Sequence, residues 1–397
     1  MCRATGRFPA CRTTRTWTMR RYSAYDPPEY VSWQPDPELL EEYRSRIRAD
    51  DAREREIAAL PPEAYIALYR GLLRFRLSDI ALTRWVKQGV ISKAWLGTGE
   101  EAVTVGAVNA LDRRGSEGDI VGPMIRNQGA NHEMGMPMAE VFRTYLGTAD
   151  APAEGRDLHL GDLRYGVCPP ISMVATLSTV MNGFALAFRI RGEPRVALTW
   201  VGDGATKHGE AHEAFAFAAS LGLPIVFIIQ NNQVALGTRL DQHHVPPDFA
   251  AWGAAYGIPS ESVDGNHVLE VYAATRVAAE RCRRGEGPQL IEARTFRMGG
   301  HATHDVREAR AIFSRELFRH WGRRDPIGLY EEYLAGIDLG VAGAGSLRDR
   351  NLRKLALVER EVEAEIEQAA SEALASRESA APRGETVTRG VYGGVSA

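Results

Sequence analysis

The sequence predicts an α/β fold, a mostly parallel sheet covered by helices on both faces, and three observations predict it. Short apolar segments bounded by Gly and Pro alternate with helix-like patterns along the middle of the chain. Strands separated by helices pair through crossovers, so they lie parallel and are covered on both sides. At 397 residues and 44% hydrophobic, the chain has ample material for a buried core.

In chain order, residues 1–60 read as an arm and a helical lead-in. The stretch MCRATGRFPACRTTRTWTMRRYSAY carries several arginines and no acid, which is transit-peptide composition. A disordered arm, or an upstream start with Met19 as the true beginning, is the preferred reading. Lys87, Lys93, Lys207 and Lys354 are the only lysines in an arginine-heavy, alanine-rich chain, a bias that points to a GC-rich bacterium. The expected location is therefore a bacterial cytoplasm, with an organelle as the alternative. PDPELLEEYRSRIRADDAREREIAAL follows as an exposed, charged helical lead-in.

Residues 61–340 form the α/β unit. Strands are expected at DIVGPM from Asp119, RVALTWV from Arg195, PIVFIIQ from Pro224 and QLIEARTF from Gln289. Helices are expected at AYIALYRGLLRFRL, EEAVTVGAVNAL, STVMNGFALAFRI, GEAHEAFAFAASL and HVLEVYAATRVAAERCRR. Residues 341–397 are a C-terminal helix and tail. After a joint at Ala342 to Gly345, the apolar positions Leu355, Val358, Val362, Ile366, Ala369 and Ala373 recur at three and four on a charged rod. Such a stripe covers either its own domain or a partner. PRGETVTRGVYGGVSA reads as a loop or tail.

The net charge of −3 argues against nucleic acid or an anionic membrane as the main partner, and no apolar run reaches spanning length. Cys2, Cys11, Cys168 and Cys282 lie far apart, which suits reduced thiols better than a disulfide framework or a zinc site.

The polar residues that carry chemistry fall just after the expected strands. RVALTWV runs into Gly202-Asp203-Gly204, PIVFIIQ into Asn231-Asn232, and QLIEARTF into Arg297-Met298-Gly299-Gly300-His301. In open parallel sheets ligands sit at that rim. A glycine turn with a carboxylate at its centre repels a bare phosphate, and a hard cation resolves the conflict. Magnesium takes oxygen ligands, which Asp203, Asn232 and a backbone carbonyl just past Asn232 can supply. Gly202 and Gly204 let the backbone approach closely, and the following helix offers its first amides.

Gly-Asp-Gly followed by a helix, a strand and Asn-Asn resembles the signature of thiamine-diphosphate enzymes. With RMGGHATHD downstream, the chain from about Ala64 to Tyr333 resembles the alpha subunit of the decarboxylating first component of 2-oxo acid dehydrogenase complexes. The resemblance implies that Asp203, Asn232 and the main-chain oxygen of Val234 hold Mg2+. It places Gly202, Asp203, Gly204, Ala205 and Asn232 around thiamine diphosphate, Arg126 and Arg297 on its phosphates, and Ser172 and Val174 at its aminopyrimidine ring. His301 matches the histidine beside the reactive carbon, where a group of ordinary pKa near 6.5 can serve a developing alkoxide or the lipoyl sulfur. His159 matches a second active-site histidine.

The same resemblance implies a separate beta subunit. The cofactor is held between two domains, one of which presents a glutamate to the aminopyrimidine, and this chain has one alternating sheet and no room after Leu334 for another. The expected assembly is an alpha2beta2 heterotetramer acting on a 2-oxo acid, pyruvate or branched-chain, with a lipoyl-bearing acyltransferase as further partner. Acetoin dehydrogenase has a closely similar alpha subunit, and a degenerate, structural alpha-like subunit is the alternative from another class. It is suggested by Ile125, where the family has a tyrosine before Arg126, and by Gln233-Val234 in place of Gly or Arg followed by Tyr. Ala302 stands where mitochondrial relatives carry a regulatory phosphoserine, so that modification is impossible here. Met173 and Leu177 depart from residues near a structural potassium.

Simpler readings compete at other positions. His208 and His212 are four apart on one helix, but no third zinc ligand accompanies them. His243-His244, in a Pro-bounded loop, reads as solvated. Gly97 to Glu101, Gly-Thr-Gly-Glu-Glu, lacks the lysine of a P-loop and reads as the cap of the helix that follows.

Overall fold

The computed structural model describes residues 19–245 and 248–388. Its strands are β1 (Ile120–Gly122), β2 (Ala197–Gly202), β3 (Ile225–Asn231), β4 (Val234–Ala235), β5 (Thr238–Arg239), β6 (Ser260–Asp264) and β7 (Gln289–Arg294). Five form one parallel sheet in the order β1-β2-β3-β7-β6, while β4 and β5 pair as an antiparallel hairpin. The four apolar runs expected as strands are β1, β2, β3 and β7. β6 carries a single buried residue, Val263, and lies at the sheet edge, where no apolar pattern is required.

Side-chain alternation along β3 shows how the sheet is covered. Ile225, Phe227 and Ile229 pack with Leu177, Met181, Phe188 and Phe215 of the helices Thr176–Arg191 and Gly209–Leu221. Val226 and Ile228 pack with Val103, Val271 and Ala274 of Glu101–Asn109 and Val268–Arg283 on the other face. Gly222 adopts φ 57°, a left-handed cap that ends Gly209–Leu221 and turns the chain directly into β3.

The lead-in is helical, as Pro37–Ile47 and Asp51–Ala58, each N-capped by an aspartate, Asp36 and Asp50. It is not simply exposed. Tyr43 and Ile57 are buried, and Arg46 and Arg53 reach the buried Glu270 at 3.4 and 3.0 Å. Its charges thus clamp the helix Val268–Arg283 where a solvated face was expected.

The C-terminal helix, Leu347–Ser379, opens with a reciprocal cap between Ser346 and Asp349. Its stripe from Leu355 to Ala373 is buried in the same cluster as Leu72 and Phe75 of the helix Pro62–Lys87 and Phe142 of Met138–Leu146. On one flank Arg74 and Arg84 pair with Glu365 and Glu367 at 3.0 and 2.7 Å. The stripe therefore covers its own chain.

Beneath the sheet's rim, Arg76 of Pro62–Lys87 is fully buried between Glu101 and Asp325. The transit-like composition up to residue 18 and the tail from residue 389 lie outside the described residues. Gly384–Thr388, within the stretch read as tail, is a short 3-10 turn. No helix among the described residues is long and apolar enough to cross a membrane.

Candidate cofactor site

Register brings the strand ends together: Gly202 lies opposite Gln230, and Asn231 opposite Arg294. The carboxyl ends of β2, β3 and β7 therefore share one edge. After β2 the chain passes Asp203 and Gly204 into a 3-10 turn, Ala205–Lys207, and the helix starts only at Gly209. The amides nearest Asp203 belong to that turn and not to the helix, which corrects the direct strand-to-helix passage expected from the sequence. A Cβ on Gly204 would stand 2.2 Å from that of Ala235, so the β4–β5 hairpin crossing above demands glycine there.

Asp203 is 2% exposed. Its Oδ1 accepts a bond from the Gly204 amide at 2.8 Å, while Oδ2 has no hydrogen-bond partner. Burial pushes its carboxyl up to about 6; the Gly204 amide opposes the shift, and the charge of Glu100 adds to it. A buried carboxylate oxygen left without a donor is costly unless a cation or ligand completes it.

Asn232 is buried and oriented by Glu100. Its Nδ2 donates to Glu100 Oε1 at 2.8 Å, and its Oδ1 accepts from the Val234 amide at 3.3 Å. Gln230 Nε2 donates to the same Glu100 oxygen at 2.6 Å. Glu100 Oε2 lies 3.6 Å from Arg126 Nε and has no hydrogen bond. Val234 is buried, and the left-handed Gln233 before it, φ 72°, turns the chain into the hairpin.

Two arginines and a histidine complete the group. Arg126 donates to the carbonyls of Leu96 and His301 at 2.6 and 2.9 Å, and its Nη2 lies 3.3 Å from His301 Nδ1. A guanidinium only donates, so Nδ1 is the acceptor and the neutral ring carries its proton on Nε2. Arg297 is buried, and its hydrogen bonds go to the carbonyls of Gly299 and Leu236 at 3.1 and 2.9 Å. Burial and then Arg126 lower its pKa to about 10, so it holds a cation that lacks a close counter-charge. Burial, followed by the charges of Arg126 and Arg297, lowers His301 to about 4. The ordinary value near 6.5 expected from the sequence is corrected on that ground.

His159 and Ser172 form a second set with Asp157, and Val174 follows two residues on as an exposed apolar side chain. Asp157 Oδ1 is 2.7 Å from His159 Nδ1, and Ser172 Oγ is 3.0 Å from His159 Nε2. The carboxylate fixes the proton on Nδ1, which leaves Nε2 to accept from the serine. Ser172, Met173 and Val174 are exposed, ahead of Ala175 at φ 67°.

Residues 70–381 match the family model described as dehydrogenase E1 component. The chain belongs to that family. It is 32% identical to the pyruvate dehydrogenase E1 component subunit alpha of Acholeplasma laidlawii, over 69% of this chain and 76% of that one. It is 34% identical to the 3-methyl-2-oxobutanoate dehydrogenase subunit alpha of Mycobacterium tuberculosis, over 69% and 71%. With the 2-oxoisovalerate dehydrogenase subunit alpha of Bacillus subtilis the identity is 32%, over 69% and 83%. Membership of the dehydrogenase E1 component family implies use of thiamine diphosphate and, for an alpha chain, a separate beta subunit.

The residues present fit such a cofactor. Two buried guanidiniums, Arg126 and Arg297, converge beside an unpartnered aspartate oxygen, a set that suits a phosphate bridged to the protein by a cation. Among the described residues no group of three or more His, Cys, Asp or Glu could hold a metal. A cation here would need the amide oxygen of Asn232 and main-chain oxygen as well.

Sequence reasoning missed two side chains that stand beside Asp203 and Asn232. Glu100 makes no side-chain cap to the helix Glu101–Asn109; it is 1% exposed and turned to Asn232, which corrects the capping role. Two adjacent acids ahead of an apolar helix were the available signal. His243 is not solvated: its Nε2 lies 3.9 Å from Asp203 Oδ2, and neither ring nitrogen has a hydrogen-bond partner. His244 stacks on Phe249 and contacts Lys207 Nζ at 2.9 Å. His208 pairs with Glu210, and His212 with the Tyr256 hydroxyl.

Proposed function

We propose that this chain is the alpha subunit of an alpha2beta2 enzyme that oxidatively decarboxylates a 2-oxo acid, pyruvate or a branched-chain one, and passes the acyl group to a lipoyl-bearing acyltransferase. The observation that carries the reading is the pair Asp203 and Asn232 just past the ends of β2 and β3, with Asn232 oriented by Glu100 and Asp203 Oδ2 unpartnered. The pyruvate and branched-chain names of the relatives support the substrate class.

Asp203, Asn232 Oδ1 and the Val234 carbonyl would hold Mg2+, and Arg126 and Arg297 the phosphates. Thiamine diphosphate, when bound, supplies the carbanion that adds to the oxo group and the electron sink for decarboxylation. His301 holds a proton at Nε2 while Arg126 occupies its Nδ1 side, so it offers a hydrogen bond to substrate oxygen as a neutral donor. His159, held by Asp157 and bonded to Ser172, would make Ser172 a polar contact for the aminopyrimidine end.

Co-purification with the beta-type partner, calorimetry with thiamine diphosphate and Mg2+, and assays on pyruvate, branched-chain 2-oxo acids and acetoin test this. Expected is Mg2+-dependent cofactor binding that Asp203→Ala abolishes, with turnover of a 2-oxo acid. Turnover of acetoin alone would reassign the substrate. Assembly with the partner but no cofactor binding would make the chain a structural subunit.

A further inference from the structure

The β4–β5 hairpin does more than cover Gly204. β5 leads into the short helix Leu240–His243, which brings His243 back over the end of β2. His243 Nε2 stands 3.9 Å from Asp203 Oδ2, and the two side chains are 12% and 3% exposed. Neither atom has a hydrogen-bond partner. The separation is too long for a hydrogen bond, yet two ligands of one metal ion with bonds of about 2.1 Å stand roughly 3 Å apart when adjacent and about 4 Å when opposed.

We propose that His243 supplies an imidazole nitrogen to the cation held by Asp203, so that the site's affinity for a first-row transition ion such as Mn2+ rises relative to that for Mg2+. The inference rests on the cofactor reading above and adds to it a ligand that the oxygen set of Asp203, Asn232 and Val234 does not contain. Mg2+ is hard and takes oxygen donors, whereas imidazole suits later first-row ions, whose affinity for such sites rises along the series from Mn2+. The corner is fixed from outside. Lys207 Nζ bonds His244 Nδ1 at 2.9 Å and lies 4.4 Å from the Trp252 ring centroid, which holds the backbone of the histidine pair in place.

The test is pulsed electron paramagnetic resonance on the chain in complex with its beta partner, loaded with Mn2+ and thiamine diphosphate, with the protein's histidines labelled with 15N. Expected is a histidine 15N coupling beside the cofactor's 31P coupling, lost in His243→Ala and in His243→Asn while the 31P coupling persists. The ratio of Mn2+ to Mg2+ affinity is expected to fall about tenfold in both variants. Bound Mn2+ with 31P but no histidine coupling, or a histidine coupling that survives His243→Ala, overturns the proposal and leaves the cofactor reading standing. Absence of any cofactor-dependent Mn2+ signal, with Asp203→Ala behaving like the unaltered chain, overturns both.

Discussion

Asn232 Nδ2 donates to Glu100 Oε1 at 2.8 Å, and that one bond joins the loop after β3 to the head of the helix Glu101–Asn109. The same oxygen accepts from Gln230 at 2.6 Å, so a single carboxylate sets which end of the Asn232 amide is oxygen. Glu100→Gln keeps the shape but replaces an acceptor with a mixed group, and one of the two amides loses its partner. Expected is a loss of about 1–3 kcal/mol in stability. Cofactor affinity with Mg2+ should weaken roughly 10–100-fold, as for other groups that orient metal ligands. Urea denaturation and calorimetry check the two parts. Unchanged affinity would show that Glu100 does not orient Asn232.

Asp203→Asn separates a binding role from a structural one. Asp203 and Glu100 are two buried acids, each with one unbonded oxygen, and they repel one another. Removing one charge is expected to leave the ligand-free melting temperature unchanged or higher, while Mg2+-dependent cofactor binding is lost. A clear fall in the ligand-free melting temperature would mean that the carboxylate serves the fold.

How much of this was legible in the sequence depends on what holds each residue. Asp203, Asn232, Arg297 and His301 follow apolar runs that can only be buried strands, so their place at one rim follows from topology. For Glu100 the adjacent acids were only a hint, because its burial is decided by Gln230 on β3 and Asn232 just past it, distant in sequence. His243 sits in a polar loop whose position is set by the hairpin, and nothing local marks it. β6 was missed because an edge strand with polar residues carries no periodic signal. The C-terminal stripe was legible as a stripe, but its partner was not, since an amphipathic pattern is the same whether it faces its own chain or another.

Arg76 is 1% exposed, with Nη2 3.1 Å from Asp325 Oδ1 and Nε bonded to Glu101. Arg76→Met leaves two buried carboxylates without their shared cation, and Arg21, 3.1 Å from Asp325, reaches only one of them. The expected loss is about 3–5 kcal/mol, the cost of breaking a buried pair on one side. Chemical denaturation reads it directly. A loss under about 1 kcal/mol would place this pair with ordinary surface ion pairs.

Leu355→Ala distinguishes a helix that completes its own core from one held for a partner. Leu355 is buried in the same cluster as Leu72 and Phe75. Truncation is expected to cost the ligand-free chain about 2–5 kcal/mol, through lost burial and the cavity left behind. A variant with unaltered stability but weakened association with the beta chain would reverse the assignment.

His267 ties stability to pH. Its Nε2 donates to the Tyr43 carbonyl at 2.9 Å, its Nδ1 accepts from the Glu270 amide at 3.1 Å, and its ring stacks 3.4 Å from that of Tyr43. Protonation of Nδ1 removes the acceptor that caps the helix Val268–Arg283. Burial, the largest influence, lowers its pKa from 6.5 to about 3. The unfolded chain therefore binds the proton more readily than the folded one between those values. The stability it confers is complete above pH 6.5 and is lost as pH falls toward 3, with a slope of up to about 1.4 kcal/mol per pH unit. Denaturation of the unaltered chain and of His267→Gln at several pH values between 7 and 4 measures it. The stability gap between the two is expected to shrink as the solution is acidified, because only the histidine titrates. Parallel curves would show that this imidazole is not held neutral by the fold.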